Sequence, residues 1–219
     1  MREIGEGIFQ LDSPGRTVNV FLVRADETVL VDTGTPRIGS RVVAELREAA
    51  VVPTVILLTH SHFDHAGGAD VIRAATGAAV VAPAAERPLF SGELRHRFLA
   101  RAGARVVNLG RPVELPAVDR WLAPGEVVAG LEVVATPGHT PGHVAYRLGT
   151  TIVGGDAFMT GEERFREAVP VFVADRAQAR RSIERLAELD LDVAVSGHGP
   201  AARGASEKLA ALAATWSSA

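Results

Sequence analysis

The sequence predicts an α/β fold with four layers, in which two β-sheets pack face to face and helices cover both outer faces (an αββα sandwich). Short apolar, β-rich segments alternate with segments of helical periodicity along the chain. A strand–helix–strand unit at residues 28–62 recurs in kind at residues 151–199, and its strands end in Asp or His. Two similar halves with outer helices favour two packed sheets, with the polar strand ends along one rim.

The composition is typical of one globular domain spanning residues 1–219, with 47% hydrophobic and 22% charged residues. A net charge of −3 gives no electrostatic basis for nucleic-acid binding, and the arginines between residues 87 and 105 are interpreted as a solvated helical face. Cysteine is absent, which excludes disulfides, thiolate ligands and a cysteine nucleophile. No signal peptide and no bilayer-spanning segment is visible, so we expect a cytoplasmic protein without a membrane partner. The expected partner is a small-molecule substrate, and the oligomeric state is left open.

The first half of the chain alternates strands and helices. Residues 19–25 and 27–34 are predicted strands joined by a tight turn, and residues 38–50 a helix with Ser40 as a candidate N-cap. Residues 54–60 form an uninterrupted apolar strand of the kind that is buried on both faces. A helix at residues 69–76, stopped by Gly77, then leads to a strand at residues 79–83.

The second half begins after a charged, helical insertion at residues 84–104. Residues 126–138, 143–149 and 151–158 alternate in the manner of antiparallel strands. A helix at residues 177–190, a strand at residues 192–199 and a final helix at residues 205–216 complete the prediction.

The densest chemical signal is the segment THSHFDHAGG at residues 59–68, which holds three of the seven histidines. In extended backbone, His60 and His62 point to the same side and form half of a metal site. Asp64 and His65 follow a turn and can face a second point a few ångströms away. Gly67 and Gly68 allow the backbone to fold tightly beneath these side chains.

Three further polar residues stand at the ends of predicted strands. His139 lies in the Pro/Gly turn ATPGHTPGH. Asp156, in the segment VGGDAF, stands at the end of an apolar strand. His198 lies between glycines in VSGHGP, at the end of another strand. Rigid strand ends are common positions for functional side chains. These residues are therefore candidates to complete a metal site.

Taken together, His-x-His-x-Asp-His, Gly-His-Thr-Pro-Gly-His, Gly-Asp and Gly-His-Gly resemble the metallo-β-lactamase fold hydrolase superfamily, and within it the glyoxalase II-like branch. The segment VDTG at residues 31–34 matches the early aspartate motif of that superfamily. The resemblance implies one metal held by His60, His62 and His139. It implies a second metal held by Asp64, His65 and His198, with Asp156 bridging both. It also implies that Asp32 orients a ligand by hydrogen bonding, while His143 is expected to make a structural hydrogen bond.

The resemblance implies two divalent ions, for which nitrogen and carboxylate ligands favour Zn²⁺, with Fe or Mn also compatible. The implied reaction is hydrolysis of a thioester, lactone or ester by metal-bound hydroxide, with Asp64 relaying a proton to the leaving group. An aspartate at position 156 and the absence of cysteine argue against β-lactam hydrolysis as more than a side reaction. The short stretch after His198 argues against glutathione recognition.

Two other functional classes stay open. One is a mononuclear iron dioxygenase for a thiol persulfide, using His60, His139 and Asp156 as its facial ligands. The other is a non-catalytic binding protein on an inherited fold. The segment from Pro83 to Arg105 is predicted to be either a lid over the metals or a packing element. Substrate contacts are expected from the segments 84–104 and 157–170, with Phe90, Phe98 and Phe158 as candidates, whereas His96 is expected to be solvated.

Overall fold

A computed structural model describes residues 1–5, 7–11, 18–96, 102, 108 and 114–217. Two sheets are present in these residues. The first has the order β1-β2-β3-β4-β5-β6-β7 and the second the order β13-β12-β11-β10-β9-β8. The strands of the first sheet are β1 (Arg2–Gly5), β2 (Ile8–Gln10), β3 (Phe21–Arg24), β4 (Thr28–Val31), β5 (Val55–Leu57), β6 (Ala79–Pro83) and β7 (Arg120–Leu122). Those of the second are β8 (Val127–Val128), β9 (Leu131–Ala135), β10 (Val144–Leu148), β11 (Thr151–Val153), β12 (Val193–Val195) and β13 (Ala202–Arg203).

The helices lie on the outer faces of the sheets or at the rim that the strand ends form. They are α1 (Pro36–Glu48), α2 (Phe63–Ala66), α3 (Ala69–Thr76), α4 (Arg87–Phe90), α5 (Arg176–Ala187) and α6 (Ala205–Ser217). Short 3₁₀ turns occupy Ala84–Glu86 and Pro170–Phe172. Among the described helices, none has the length and apolar character needed to cross a membrane.

Three apolar clusters define the layers. The first joins Leu30 and Ile56 of the first sheet to Leu46 of α1 and Ile72 of α3. The second fills the space between the sheets, and the third joins the second sheet to α5 and α6. Each sheet therefore packs on the other through one face and on helices through the other face. The predicted αββα sandwich is confirmed.

The repeated strand–helix–strand unit is also present. β4 and β5 pair in parallel, and α1 lies between them in sequence. β11 and β12 also pair in parallel, and α5 lies between them in sequence. A parallel pair needs a crossover connection, and in both units a helix supplies it. Because the carboxyl ends of parallel strands meet at one edge, each unit delivers its polar strand-end residues to the same rim.

One predicted boundary was wrong. Helix α1 begins at Pro36, and the Thr35 side chain caps it by accepting the Ile38 N–H at 3.5 Å. Ser40, the expected N-cap, lies inside the helix and donates its hydroxyl to the Pro36 carbonyl at 3.1 Å. Proline is well suited to the first helical turn, where its missing N–H costs nothing, so the helix starts earlier than its apolar periodicity indicated.

The described part of the segment after β6 packs into the body of the protein. Glu86 is fully buried and Leu89 nearly so, and the Phe90 ring meets the Trp121 ring edge-on with centroids 5.7 Å apart. Phe90 also packs against the outer cluster of the first sheet. These contacts of residues 84–90 favour the packing alternative, and the lid interpretation stays a prediction. Phe98 lies outside the described residues.

Candidate metal centre

The carboxyl end of β5 delivers the first group of polar side chains. His60 is fully buried, and the backbone at His62 is extended before the short helix α2 begins at Phe63. The helix turns the chain so that Asp64 and His65 face the same rim. An added Cβ at Gly68 would lie 2.4 Å from the Thr33 carbonyl oxygen, so the tight turn beneath these residues needs glycine.

The two sheets bring seven predicted residues into overlapping groups. Potential ligand atoms lie within 4.8 Å of one another in three sets: His60, His62 and His139; His60, His65 and Asp156; and Asp64, His65 and His198. The first and third sets are the two triads that the sequence resemblance implied. They combine residues that follow β5 of the first sheet with His139 and His198, which follow strands of the second sheet.

Asp156 lies between the two triads. Its Oδ2 is 3.5 Å from Nε2 of His139 in one triad and 3.5 Å from Nε2 of His198 in the other. Its Oδ1 is 3.4 Å from Nε2 of His65. The Asp156 carboxylate thus faces both triads through Oδ2 and the second triad also through Oδ1, a geometry that suits a shared ligand.

A buried hydrogen-bond chain orients the imidazoles of the first sheet. His65 donates from Nδ1 to Oδ2 of Asp32 at 2.7 Å, and the Thr59 hydroxyl donates to the same oxygen at 2.9 Å. The Thr59 hydroxyl is also 2.9 Å from Nδ1 of His60, which in the matching tautomer is the donor. Asp32 therefore fixes His65 directly and His60 through Thr59. Both rings are left with Nε2 facing the centre of the group.

Asp32 holds this position with an unusual backbone. Its φ is 60°, in the left-handed region that residues other than glycine rarely occupy. The Asp32 N–H donates to the Leu57 carbonyl at 2.9 Å and its Oδ1 accepts the Thr59 N–H at 2.9 Å. These bonds hold the end of β4 against the loop that carries His60.

The second sheet fixes its own side chains through turns. His139 lies in a turn whose carbonyls accept from residues just before α5: Ala174 N–H donates to His139 and Asp175 N–H to Gly138. His143 accepts the Asp156 N–H on Nε2 at 3.0 Å, and its Nδ1 is 2.7 Å from the Thr136 hydroxyl. The His143 ring centroid lies 4.9 Å from that of His60, but both of its ring nitrogens are engaged in hydrogen bonds, which leaves neither for a metal.

The electrostatics separate the imidazoles into two kinds. Burial lowers the pKa of His60 well below its ordinary value and that of His139 to about 3, so these rings are neutral. Burial acts the same way on His198, but hydrogen bonds to Asp156 and Asp64 outweigh it and raise its pKa to about 9. His65 also has a raised pKa, because Asp156 and Asp32 outweigh its burial. The carboxylates of Asp32, Asp64 and Asp156 therefore favour a positive charge at this rim.

Several buried atoms at the centre have no hydrogen-bond partner among the described residues. They are Nε2 of His60, Nε2 of His65 and Oδ1 of Asp156. Buried polar atoms without partners are costly and need an explanation. Imidazole nitrogens and carboxylate oxygens that converge on shared points, beside anions that demand a cation, fit divalent metal ions.

All seven histidines of the sequence belong to this one cluster, including His96, whose expected solvation was wrong. The His96 ring is half-buried, with its centroid 4.6 Å from that of His62, and its Nε2 is 3.1 Å from the Ser61 carbonyl. Its charged neighbours in sequence gave no sign of this. The sequence offered one signal: the other six histidines all fall in the motifs already described, which sets His96 apart as the one histidine without an assigned place.

The segment after Asp156 forms a wall next to the His198 loop. A groove of about 650 Å³ is lined by Met159, Thr160, Arg164, Arg166, Val169 and Pro200, among others. Thr160 is fastened to the loop because its N–H donates to Ser196 Oγ at 3.0 Å, and that hydroxyl donates to the His198 carbonyl at 3.0 Å. Phe158, a candidate substrate contact, was wrongly predicted, since it is fully buried and stacks on Phe165 in the outer core.

The comparison with known families agrees with this geometry. The metallo-beta-lactamase superfamily model matches residues 13–198, and the chain therefore belongs to that superfamily, whose members here include metallo-hydrolases. The chain is 30% identical over 209 residues to the probable metallo-hydrolase YybB of Bacillus subtilis (strain 168), which covers 91% of this chain and 90% of that one.

One further enzyme and two solved structures are also similar to this chain. Hydroxyacylglutathione hydrolase of Maricaulis maris (strain MCS10) is 33% identical over 170 residues, covering 74% of this chain but 53% of that enzyme. The crystal structure of TTHA1623 in a di-iron-bound form matches with a TM-score of 0.73 and 29% identity, covering 89% of this chain and 94% of that one. The subclass B3 metallo-β-lactamase MEM-A1, at 21% identity and a TM-score of 0.67, shares the fold.

Proposed function

We propose that this protein hydrolyses a small activated carbonyl compound (a thioester, lactone or ester) with two divalent metal ions. The observation that carries the proposal is the convergence of five imidazoles and two carboxylates at one rim, with buried nitrogen and oxygen atoms that lack protein partners. His60, His62 and His139 would hold one ion. Asp64, His65 and His198 would hold the other, and Asp156 would be shared between them.

The ligand set favours zinc, with iron or manganese also compatible. Neutral imidazoles and carboxylates suit Zn²⁺, and the same nitrogen and oxygen donors bind Fe and Mn. The structural relative in a di-iron-bound form makes iron a specific competitor at this site. Metal identity is therefore part of the test.

The bound ions would activate a water molecule as the nucleophile and polarise the carbonyl oxygen of the substrate. The water oxygen bonds to the carbonyl carbon, the bond from that carbon to sulfur or oxygen breaks, and the proton of the water passes to the leaving group. Asp64 is placed for this transfer, since its side chain is 43% exposed at the rim and its Oδ2 is 3.4 Å from Nε2 of His198. Burial alone would raise the pKa of the Asp64 carboxyl, but the neighbouring His65 and His198 lower it, so the side chain is ionised and has no proton of its own to block the transfer.

The groove beside the His198 loop would hold the organic part of the substrate. Its wall includes Pro200, two residues after His198, and its volume of about 650 Å³ suits a small molecule. The Arg164 and Arg166 side chains provide polar contacts and Val169 an apolar one. No nucleic acid or membrane is needed by this proposal.

The test is a substrate screen on protein whose metal content has been measured. Thioesters, lactones and simple esters are offered to protein loaded with zinc, iron or manganese, and the His60→Ala variant provides the background rate. We expect two ions per chain and turnover of at least one of these classes. Turnover absent from every class at full loading would refute the proposal. One iron per chain with oxygen consumption on a persulfide would replace it by the dioxygenase function.

A further inference from the structure

A buried acidic residue that belongs to neither triad lies directly behind the metal centre. Glu86 ends the 3₁₀ turn Ala84–Glu86 that follows β6, and none of its surface is exposed. Burying an ionisable side chain is costly unless hydrogen bonds satisfy it fully. The partners of Glu86 therefore indicate what the residue holds in place.

Each carboxylate oxygen of Glu86 accepts from a different metal-binding loop. Oε2 accepts the Ser61 N–H at 2.9 Å and also a short hydrogen bond from the Ser61 hydroxyl. Oε1 accepts the Gly142 N–H at 2.7 Å. Ser61 stands between His60 and His62, and Gly142 closes the turn that carries His139.

The two loops meet Glu86 at close range. A Cβ added at Gly142 would lie 2.5 Å from the Glu86 nitrogen and 2.5 Å from the Ala85 carbonyl carbon, so the backbones touch there. Across the same gap, Nε2 of His139 is 2.9 Å from Nδ1 of His62. The distance between the two loops thus sets the distance between two proposed ligands of one ion.

We propose that Glu86 is a positioning residue that holds the His60–His62 loop and the His139 turn at the separation required by the first metal ion. This inference rests on the proposed metal site. A carboxylate is suited to the task because it accepts hydrogen bonds on both sides, whereas a glutamine would turn its amide N–H₂ toward one of the donors. The effect on the metal acts through the backbone of both loops, since Glu86 itself belongs to none of the clustered ligand sets.

The test compares Glu86→Gln with Glu126→Gln as a matched control. Glu126 also accepts a backbone N–H, from Ala123 at 2.6 Å, but it pairs with Arg120 on the exposed β7–β8 turn. Metal-free protein is titrated with Co²⁺, whose visible absorption reports ligand number and geometry, and its affinity is measured by competition with a chelator. Guanidinium unfolding of the metal-free proteins separates stability from metal binding.

We expect Glu86→Gln to weaken the binding of one of the two Co²⁺ ions by about 10- to 100-fold and to alter its spectrum, while Glu126→Gln matches the wild type. Ser61→Ala, which removes the hydroxyl bond and keeps the N–H bond, should give a smaller change in the same direction. Glu86→Asp should restore part of the affinity. If Glu86→Gln does not fold, Ser61→Ala and Glu86→Asp decide the question by the same readouts.

Wild-type affinity and spectrum in Glu86→Gln, or in both of the milder variants if it does not fold, would overturn the inference, and so would a loss of stability with unchanged metal binding. Neither result affects the proposed hydrolysis, because no substrate is used. A wild-type protein that binds no Co²⁺ would instead refute the proposed function and this inference with it.

Discussion

The two halves of the molecule supply the same site in different ways. The first sheet delivers four candidate ligands on one loop, residues 60–65 after β5, where covalent geometry keeps them close. The second sheet delivers His139, Asp156 and His198 from three separate strand ends, and hydrogen bonds between loops set their spacing. The first group is therefore a local feature of the chain, while the second exists only once the sheets have packed.

Removing one candidate ligand from each half should have the largest effect on the site. His60 belongs to two of the three clusters, so His60→Ala should empty at least one metal site and lower kcat/KM by more than about a hundredfold. His139→Ala, from the second half, should also empty one site and abolish turnover. Both variants should stay folded, because the ligands lie at the rim of the sandwich. Metal analysis, circular dichroism and initial rates measure these outcomes, and a His60→Ala protein with two tight metals and full activity would contradict them.

Asp156 tests whether the second half serves both ions. Asp156→Asn removes the shared negative charge, so two dications would repel each other across a short gap. We expect the metal content to fall below two per chain and kcat to fall with it. Glu163 is an exposed residue that also lines the groove, and Glu163→Gln should keep its metals. Unchanged stoichiometry and kcat in Asp156→Asn would assign this residue to a structural role at the end of β11.

Asp32 tests how far the first loop depends on its support. Asp32→Asn keeps the shape of the side chain but removes the charge that holds His65, so metal affinity should fall by about 10- to 100-fold. The effect should be smaller than that of losing a ligand. Chelator competition on the folded variant measures it, and affinity within twofold of the wild type would show that Thr59 and the backbone suffice.

Phe90 separates packing from substrate binding. Its ring packs on Trp121 at the outer face of the first sheet, so Phe90→Ala should cost about 1 to 3 kcal/mol of stability through lost contacts. KM and metal content should not change. Denaturant unfolding and steady-state kinetics measure this, and a raised KM with unchanged stability would favour the lid interpretation.

The smallest expected effect concerns the groove wall of the second half. Glu167 pairs with Arg176 at 2.6 Å and Arg180 at 2.8 Å, and although its partial burial opposes the shift, these partners lower its pKa from 4.5 to about 2. A carboxyl whose pKa is lowered on folding stabilises the folded state at pH values above its unfolded pKa. This stabilisation is lost as the pH falls toward the folded-state pKa of about 2. Glu167→Gln should thus lower stability by less than about 1 kcal/mol at neutral pH, after solvent screening. The difference in Tm from the wild type should shrink below about pH 4.5, and a constant difference down to pH 3 would argue against the ion pairs.

The sequence was most informative where function compresses residues into a short stretch. The His60–His65 loop was predicted as a unit, and the strand–helix–strand repeat correctly predicted the four layers. His139, Asp156 and His198 were found because rigid strand ends limit where polar residues can serve a rim. Glu86 and His96 were missed, since their roles depend on distant loops that no local pattern reveals. The burial of Phe158 was missed for the same reason, because an aromatic residue after an apolar strand packs inward or outward according to the helices that cover the sheet.

The positive φ of Asp32 also has a consequence for protein engineering. A residue other than glycine in this region costs the folded state about 1 kcal/mol or more, which neighbouring bonds must offset. Glycine at position 32 would relieve that strain, but it would leave the buried Thr59 N–H without its acceptor, which costs about 1 to 3 kcal/mol. The same change would remove the anion that orients His65 and, through Thr59, His60. Stability and metal retention should therefore both favour the aspartate, so a library selected for heat resistance alone should keep it at this position.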